Sequence, residues 1–369
     1  MEIFSGLVRK RNEKHLDYKD VPLEGVVFVI PSHNEEGCIA DILTDLGSQI
    51  PLQQVIVIAD NCTDRTGDIA AEHGARVLTR VHETKKSKNY AMEYAFATLQ
   101  DEQPEIVGVL DADSRVGPGF VDALIGAVRR HNRPAQAQYL MTPSNARVPG
   151  QALSSFGVYV INAVRQRGLQ ALGAPARLTG AGGAFPFDQI SSVQIGNAHL
   201  ADDTTIGLNL AQKGFGPVFV PEAEVISDLP HEENAEVGQR ARWETGQVQL
   251  IRERALPLLA RSFGSREALV MGLDLLIPPL TRLLALLVVY AVLAVGLYAA
   301  FGWSAHLLLS TLTLSLFGTA LIAAAQDYRK HPQSAPLSGF LEFARFKLMV
   351  LRRGKPNGWH RTRRIHDNV

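Results

Sequence analysis

The chain has 369 residues, 37 Lys plus Arg against 37 Asp plus Glu, and a hydrophobic share of 46%. That length admits one large domain or two ordinary ones, and a formal net charge of zero supplies no bulk field for nucleic acid. Cys38 and Cys62, the two cysteines, suit neither a disulfide framework nor a zinc site, so a reducing, cytosolic setting is the simpler expectation.

Residues 1–23 are too charged for a secretory signal or a first membrane helix. Val26 to Ile30 is a continuous apolar run ending in Pro31, as expected of a strand buried on both faces of a parallel sheet, and Val55 to Ala59 repeats it. Helical spacing from Glu36 to Leu46 makes these a β-α-β unit. Thr63 to His73 reads as the next helix, with Thr63 as N-cap and Gly74 as stop. Ala75–Thr79 as strand, Ser87–Leu99 as helix and Glu105–Leu110 as strand follow. This alternation predicts a doubly wound α/β sheet with crossover helices on both faces, so ligands belong at the carboxyl ends of its strands.

Three chemical signatures sit at those ends: Pro31-Ser32-His33-Asn34-Glu35-Glu36, Asp60-Asn61, and Asp111-Ala112-Asp113. Asp111 and Asp113, one residue apart, allow one carboxylate to face a ligand while the other reaches Mg2+ or Mn2+ bridging a diphosphate. Asp60 serves either as a helix cap or as an acceptor for a nucleobase imide. His33 offers a ring to stack on a base, and Lys88, opening a helix, approaches a donor phosphate or stays at the surface. Thr179 to Phe185 is too glycine-rich for a helix or an ordinary strand and reads as a pocket wall. Asp202 and Asp203 open a helix with apolar positions Ile206, Leu208 and Leu210, so one acid points inward while the other caps. Gln239, Arg242 and Trp243 fall at i, i+3 and i+4 on one helix face, where Arg suits a leaving diphosphate and Trp a sugar ring or a membrane interface.

Beyond residue 265 the composition shifts. Ala268 to Thr281 is apolar but interrupted by Asp274 and Pro278-Pro279, as expected of an interfacial helix. Leu283 to Gln326 carries no Asp, Glu, Lys or Arg and is long enough for two membrane helices of about 20 residues joined at Phe301-Gly302-Trp303-Ser304. The basic residues beyond it, Arg329, Lys330, Arg345, Lys347, Arg352, Arg353, Arg361, Arg363 and Arg364, put domain and tail in the cytosol. The expected organisation is a catalytic domain over 24–265, an interfacial helix over 266–282, two spans within 283–326, and an amphipathic, basic cytosolic tail over 327–369.

In their order, PSHNEE, ADNCTDRTG, VLDADS, ADDTTIGLNLAQKGF and QRARW resemble the membrane-associated branch of the inverting family 2 glycosyltransferases, which includes polysaccharide synthases and glycolipid-forming enzymes. The resemblance covers roughly residues 24–365. It implies a GT-A-like nucleotide-binding domain with a mostly parallel sheet, Mg2+ or Mn2+ held by Asp113, and a nucleotide site built from Pro31, His33, Glu35, Asp60, Lys88 and Asp111. It further implies Asp203 as catalytic base, with Asp202, Gln239, Arg240, Arg242 and Trp243 at the acceptor and diphosphate end. The partners would be a UDP- or GDP-sugar donor, a lipid-linked or glycan acceptor and a membrane, the bacterial inner membrane among them. Two departures stand out: Asp202-Asp203 replaces the usual Glu-Asp pair, and TGAGGAFP replaces the cysteine-containing segment of many polymer synthases. A processive synthase is the nearest rival reading, although two spans form a pore only if protomers associate into a homo-oligomer. A non-catalytic membrane scaffold leaves the joint retention of Asp113 and Asp203 unexplained, and a nucleotidyltransferase leaves QRARW unexplained.

Overall fold

The computed structural model describes residues 18, 20–144, 150–195, 202–230, 232–260, 266–337 and 340–352. The N-terminal segment before Tyr18 and the basic residues from Arg353 onward lie outside them. Strands β1 (Val26–Ser32), β2 (Val55–Asp60), β3 (Arg76–Arg80), β4 (Ile106–Val109), β5 (Ser114–Val116), β6 (Ala135–Thr142), β7 (Gly183–Pro186) and β8 (Val218–Asp228) form one sheet in the order β3-β2-β1-β4-β7-β6-β8-β5. The β3, β2, β1 and β4 neighbours are parallel, as are β6 and β8, while β7 and β5 run antiparallel to their neighbours. The result is an open, mixed α/β sheet with mostly parallel strands.

Successive side chains of a strand point to opposite faces, and the apolar runs use both. Phe28, Ile30, Val55 and Val57 pack with Ile39, Ile42, Leu43 and Leu46 of α1 (Ile39–Gly47) and with Leu124 and Val128 of α4 (Phe120–His131). Val27, Val29, Ile56 and Ile58 pack with Ala91, Met92, Ala95 and Phe96 of α3 (Lys88–Thr98) on the other side. Each fully buried side chain of this size contributes roughly 1.5–3 kcal/mol. In β4 the run is broken by Gly108, where a Cβ would lie 2.4 Å from the buried ring of Phe28.

Two expectations are corrected here. Helix α2 spans Thr66–Glu72 and does not begin at Thr63. The Thr63 amide is held in the preceding turn by Asn34 Oδ1 at 2.8 Å, and Asp64 Oδ1 accepts the Thr66 amide at 3.1 Å, so neither Thr63 nor Asp60 caps the helix. Gly183 to Pro186, within or just after the Thr179–Phe185 stretch read as too glycine-rich for an ordinary strand, forms β7 between β4 and β6. Glycine is required just before it: Gly182 has φ +75°, and a Cβ there would lie 2.7 Å from Val225 and 2.8 Å from Ala137.

Apart from β7 and β8, the chain beyond β6 is mainly helical. α5 (Gln151–Tyr159) runs through a π-turn into α6 (Arg165–Ala171); α7 (Phe187–Ser191), α8 (Asp202–Gln212), α9 (Glu233–Leu250), α10 (Leu256–Ala260) and α11 (Arg266–Leu276) follow. α12 (Leu280–Phe301) and α13 (Ser304–Tyr328) are long and apolar enough to cross a membrane, and only 6% and 11% of their most apolar stretches are buried. A core helix of a soluble protein would hide that surface. The turn between them is Gly302-Trp303, with Gly302 left-handed at φ 69°. Arg165 of α6 pairs with Asp274 of α11 at 2.6 Å, and Arg167 pairs with Asp327 of α13 at 2.9 Å, so neighbouring arginines of one helix grip the chain on both sides of the hairpin. Asp274 therefore turns inward and does not interrupt an interfacial face. α14 (Phe340–Arg352) packs Phe346 and Val350 against Val237 and Ala241 of α9.

Candidate active site

At the carboxyl ends of β1 and β2, Asn34 (φ 55°) and Asn61 (φ 52°) adopt left-handed backbone and fold two short turns against each other. His33 Nδ1 lies 2.7 Å from the Asp60 carbonyl, and the Glu35 amide donates to Thr66 Oγ1 at 2.8 Å. Asp60 is buried, and its Oδ1 accepts from Arg80 Nη1 at 2.5 Å and from Asn61 Nδ2 at 2.8 Å. Arg80 also donates to the Lys85 carbonyl at 2.8 Å, which ties this turn to the segment leading into α3. Arg80 escaped the sequence reading. Its one signal is register, since the parallel β2–β3 ladder sets Asp60 opposite Arg80.

One strand over, Ser87 caps α3 by accepting the Tyr90 amide at 3.4 Å, and the next residue is Lys88. Lys88 Nζ donates to Asp111 Oδ1 at 2.5 Å and to the Gly180 carbonyl at 2.7 Å. Gly180 has φ +97°, and a Cβ on it would stand 3.1 Å from Asp203 Oδ2, so only glycine lets the loop pass beside that carboxylate. Lys88, Asp111 and Asp203 thus converge around one loop from three distant parts of the sequence. Asp203 and Gly180 line a cavity of about 30 Å³ together with the apolar Met92, Phe96, Leu178 and Ile206.

Burial against these apolar walls raises the Asp203 carboxyl above its usual range; Lys88 opposes the rise and Asp111 adds to it. The Tyr139 phenol, buried on β6, is raised above its usual range by burial and by Asp111 and Asp203, with Ser227 opposing through a hydrogen bond. Tyr139 was also missed, because in sequence it is one more apolar strand residue.

Asp113 is half-buried one residue beyond Ala112, at the same rim as Asp111. Among the described residues no three or more His, Cys, Asp or Glu side chains gather to cage a metal. Lys88 pairs with Asp111, and Asp113 is a second carboxylate on the same rim. A small hard cation that keeps waters and takes phosphate oxygens needs only one or two carboxylates, so the donor set fits Mg2+ or Mn2+.

On α9, Gln239 and Arg240 are buried, Arg242 is half-buried and Trp243 is 39% exposed. The arginine that covers the Trp243 ring is Arg240, 5.2 Å from its centroid and one turn before it. Further along α9, Gln247 accepts from Arg177 at 2.9 Å, and Arg177 leads in three residues to Gly180. The Asp202 side chain lies outside the described set. The structure therefore unites Lys88, Asp111 and Asp203, joins His33 to Asp60, and places the QRARW segment on a helix linked to the Gly180 loop through Arg177.

Two curated proteins share part of the chain. The low-salt glycan biosynthesis hexosyltransferase Agl6 of Haloferax volcanii is 36% identical over 104 residues, covering 27% of this chain and 24% of Agl6. Protein RfbJ of Shigella flexneri is 35% identical over 52 residues, covering 14% of this chain and 40% of RfbJ. The chain thus spans less than half the length of either relative. Among solved structures, the mannosyltransferase PcManGT from Pyrobaculum calidifontis, in complex with GDP-Man and Mn2+, is 17% identical with a TM-score of 0.49, covering 88% of this chain and 94% of that one. Glucosyl-3-phosphoglycerate synthase from Mycobacterium tuberculosis, with Mn2+, UDP and phosphoglyceric acid, is 18% identical with a TM-score of 0.41, covering 60% and 78%. The profile of "Glycosyl transferase family 2" matches residues 27–159. That of "Glycosyl transferase family group 2" matches residues 106–325, more than half of the chain, and on that ground the protein belongs to the family 2 glycosyltransferases.

Proposed function

We propose that the chain moves a sugar from a nucleoside-diphosphate donor to a lipid-linked or polysaccharide acceptor at the cytosolic face of a membrane, with inversion at the anomeric carbon. The observation that carries this reading is the grouping of Lys88, Asp111 and Asp203 around Gly180 at the carboxyl rim of the sheet. Asp203, its carboxyl raised by burial, takes the proton of the acceptor hydroxyl. The freed oxygen attacks the anomeric carbon as the bond to the diphosphate breaks on the opposite side, so an α-linked donor yields a β-linked product and the nucleoside diphosphate departs with the electron pair. The turn from Pro31 to Glu35 and the Arg80-braced Asp60 hold the nucleobase, while Lys88 and Asp111 position the sugar-diphosphate. Asp113 is the residue that would hold Mg2+ or Mn2+, which when bound neutralises charge building on the leaving diphosphate. Gln239, Arg242 and Trp243 border the acceptor.

In this reading residues 24–265 form the catalytic part, 266–282 lie at the interface, the spans fall within 283–326, and 327–369 stay cytosolic. The sparse burial of α12 and α13 supports it. Incubating the full chain with labelled UDP- and GDP-sugars and membrane lipid extracts, then reading the anomeric configuration of the product by NMR, is the test. An α-linked product from an α-linked donor would remove the inverting mechanism.

A further inference from the structure

A second charged cluster lies where α9, α12 and α14 meet. Glu244 of α9 is buried and contacts Arg282 at 2.7 Å and Lys347 at 2.9 Å. Arg282 sits in the first turn of α12, and Lys347 comes from α14. One turn back on α9, Arg240 is more than nine-tenths buried, and among the described residues its Nε has no hydrogen-bond partner. Its guanidinium lies over Trp243 and faces the carboxylates of Glu236 and Glu244. Glu236 is already engaged by Ser154 Oγ at 2.6 Å. Lys347 is pushed below the usual lysine range by burial first and then by Arg240, with Arg282 also contributing and Glu244 opposing, so both arginines lie in range of Lys347.

Among the described residues three cations face two carboxylates in this partly desolvated place, and a cation in the first turn of α12 also opposes the helix dipole. An anion resolves both. Arginine forks and a lysine ammonium together suit the oxygens of a phosphate. The cluster stands at the root of an apolar helix whose next turn exposes Leu284 and Leu286, the depth at which headgroup phosphates lie. We infer that Arg240, Arg282 and Lys347 bind the phosphate of an anionic membrane lipid and so seat α9, with its QRARW segment, against the bilayer surface. The inference rests on the membrane placement proposed above.

The full chain in neutral detergent, with Trp303→Phe and Trp359→Phe, keeps Trp243 as its sole indole, and that ring stacks on Arg240. Titration with short-chain phosphatidic acid should change its fluorescence saturably, while phosphatidylcholine of the same chain length should not. Lys347→Gln and Arg282→Gln should each weaken binding about five-fold, the usual worth of one cation near a lipid surface, and Lys347→Arg should restore it. If Lys347→Gln fails to fold, Arg282→Gln, whose side chain is 35% exposed, decides alone. Equal binding of inorganic phosphate would assign a soluble oxyanion in place of a lipid and overturn the inference, as would an unchanged titration in the Gln variants. Failure of the membrane placement itself is read separately, from reporter fusions at Ser304 and Val369.

Discussion

Replacing Asp203 with Asn tests two consequences of one geometry. The carboxyl stands beside Gly180 in the wall of a mostly apolar cavity, and burial is the largest influence on it. As general base it should contribute about 10²- to 10⁴-fold to turnover, equivalent to roughly 3–5 kcal/mol at 1.36 kcal/mol per decade. The amide keeps the shape, so affinity for the nucleoside diphosphate should change less than about three-fold while kcat falls by that factor. Stability should move the other way. A carboxyl raised in the folded state favours folding when protonated, so the wild type loses stability as pH climbs from the unfolded value near 4 through the raised folded value. Asp203→Asn is spared that loss. Its melting temperature should match the wild type at low pH and exceed it at pH 7. Isothermal titration with nucleotide, steady-state turnover, and thermal melts across pH 4 to 8 give the three readouts. Turnover within about three-fold of wild type, or a lower melting temperature at pH 7, would refute the placement of Asp203 as a desolvated base.

Full turnover in excess chelator, or by Asp113→Ala, would remove the metal from the proposal; the expected result is loss of activity restored by Mg2+ or Mn2+ only in the wild type. Arg80→Met leaves Asp60 buried without its cation, so it should cost about 3–5 kcal/mol in denaturant unfolding and raise the donor KM; an unchanged midpoint would show that the pair is dispensable. Gly108→Ala drives a methyl into the Phe28 ring and should cost about 1–3 kcal/mol, measured by the urea midpoint, with little effect on KM in the fraction that remains folded. A reporter fused at Ser304 should lie across the membrane from one fused at Val369, and finding both on one side removes the two-span topology.

The parallel half of the sheet was readable because its strands are continuous apolar runs, and every strand from β1 to β4 lies within two residues of its expected bounds at either end. β7 was not readable. Gly183-Ala184-Phe185-Pro186 has no strand pattern, and only pairing on both sides with β4 and β6 makes it one. The helix after β2 starts late because Asn34, far away in sequence, holds Thr63 in the turn. The same limit applies to the site. Strand-end acids and Lys88 announced themselves by position, whereas Arg80 and Tyr139 matter only through cross-strand register and the approach of β6, which a one-dimensional pattern does not carry. Asp274 looked like a break in an apolar helix, but its partners Arg165 and Arg177 lie about a hundred residues upstream.

Those long-range ion pairs connect the two halves of the molecule physically. Arg177 contacts Asp274 at 3.5 Å and Gln247 at 2.9 Å, three residues before the Gly180 carbonyl that receives Lys88. Arg165 and Arg167 hold the chain at both feet of the hairpin. A side chain buried in an ion pair cannot move far without leaving its partner uncompensated, at a cost of several kcal/mol. The hairpin, α9 and the Gly180 loop are therefore constrained to move together. Under the proposed membrane placement, a bilayer that fixes the hairpin would also fix the height of Asp203 above it, and a lipid-linked acceptor would need to bring only its headgroup to the carboxylate.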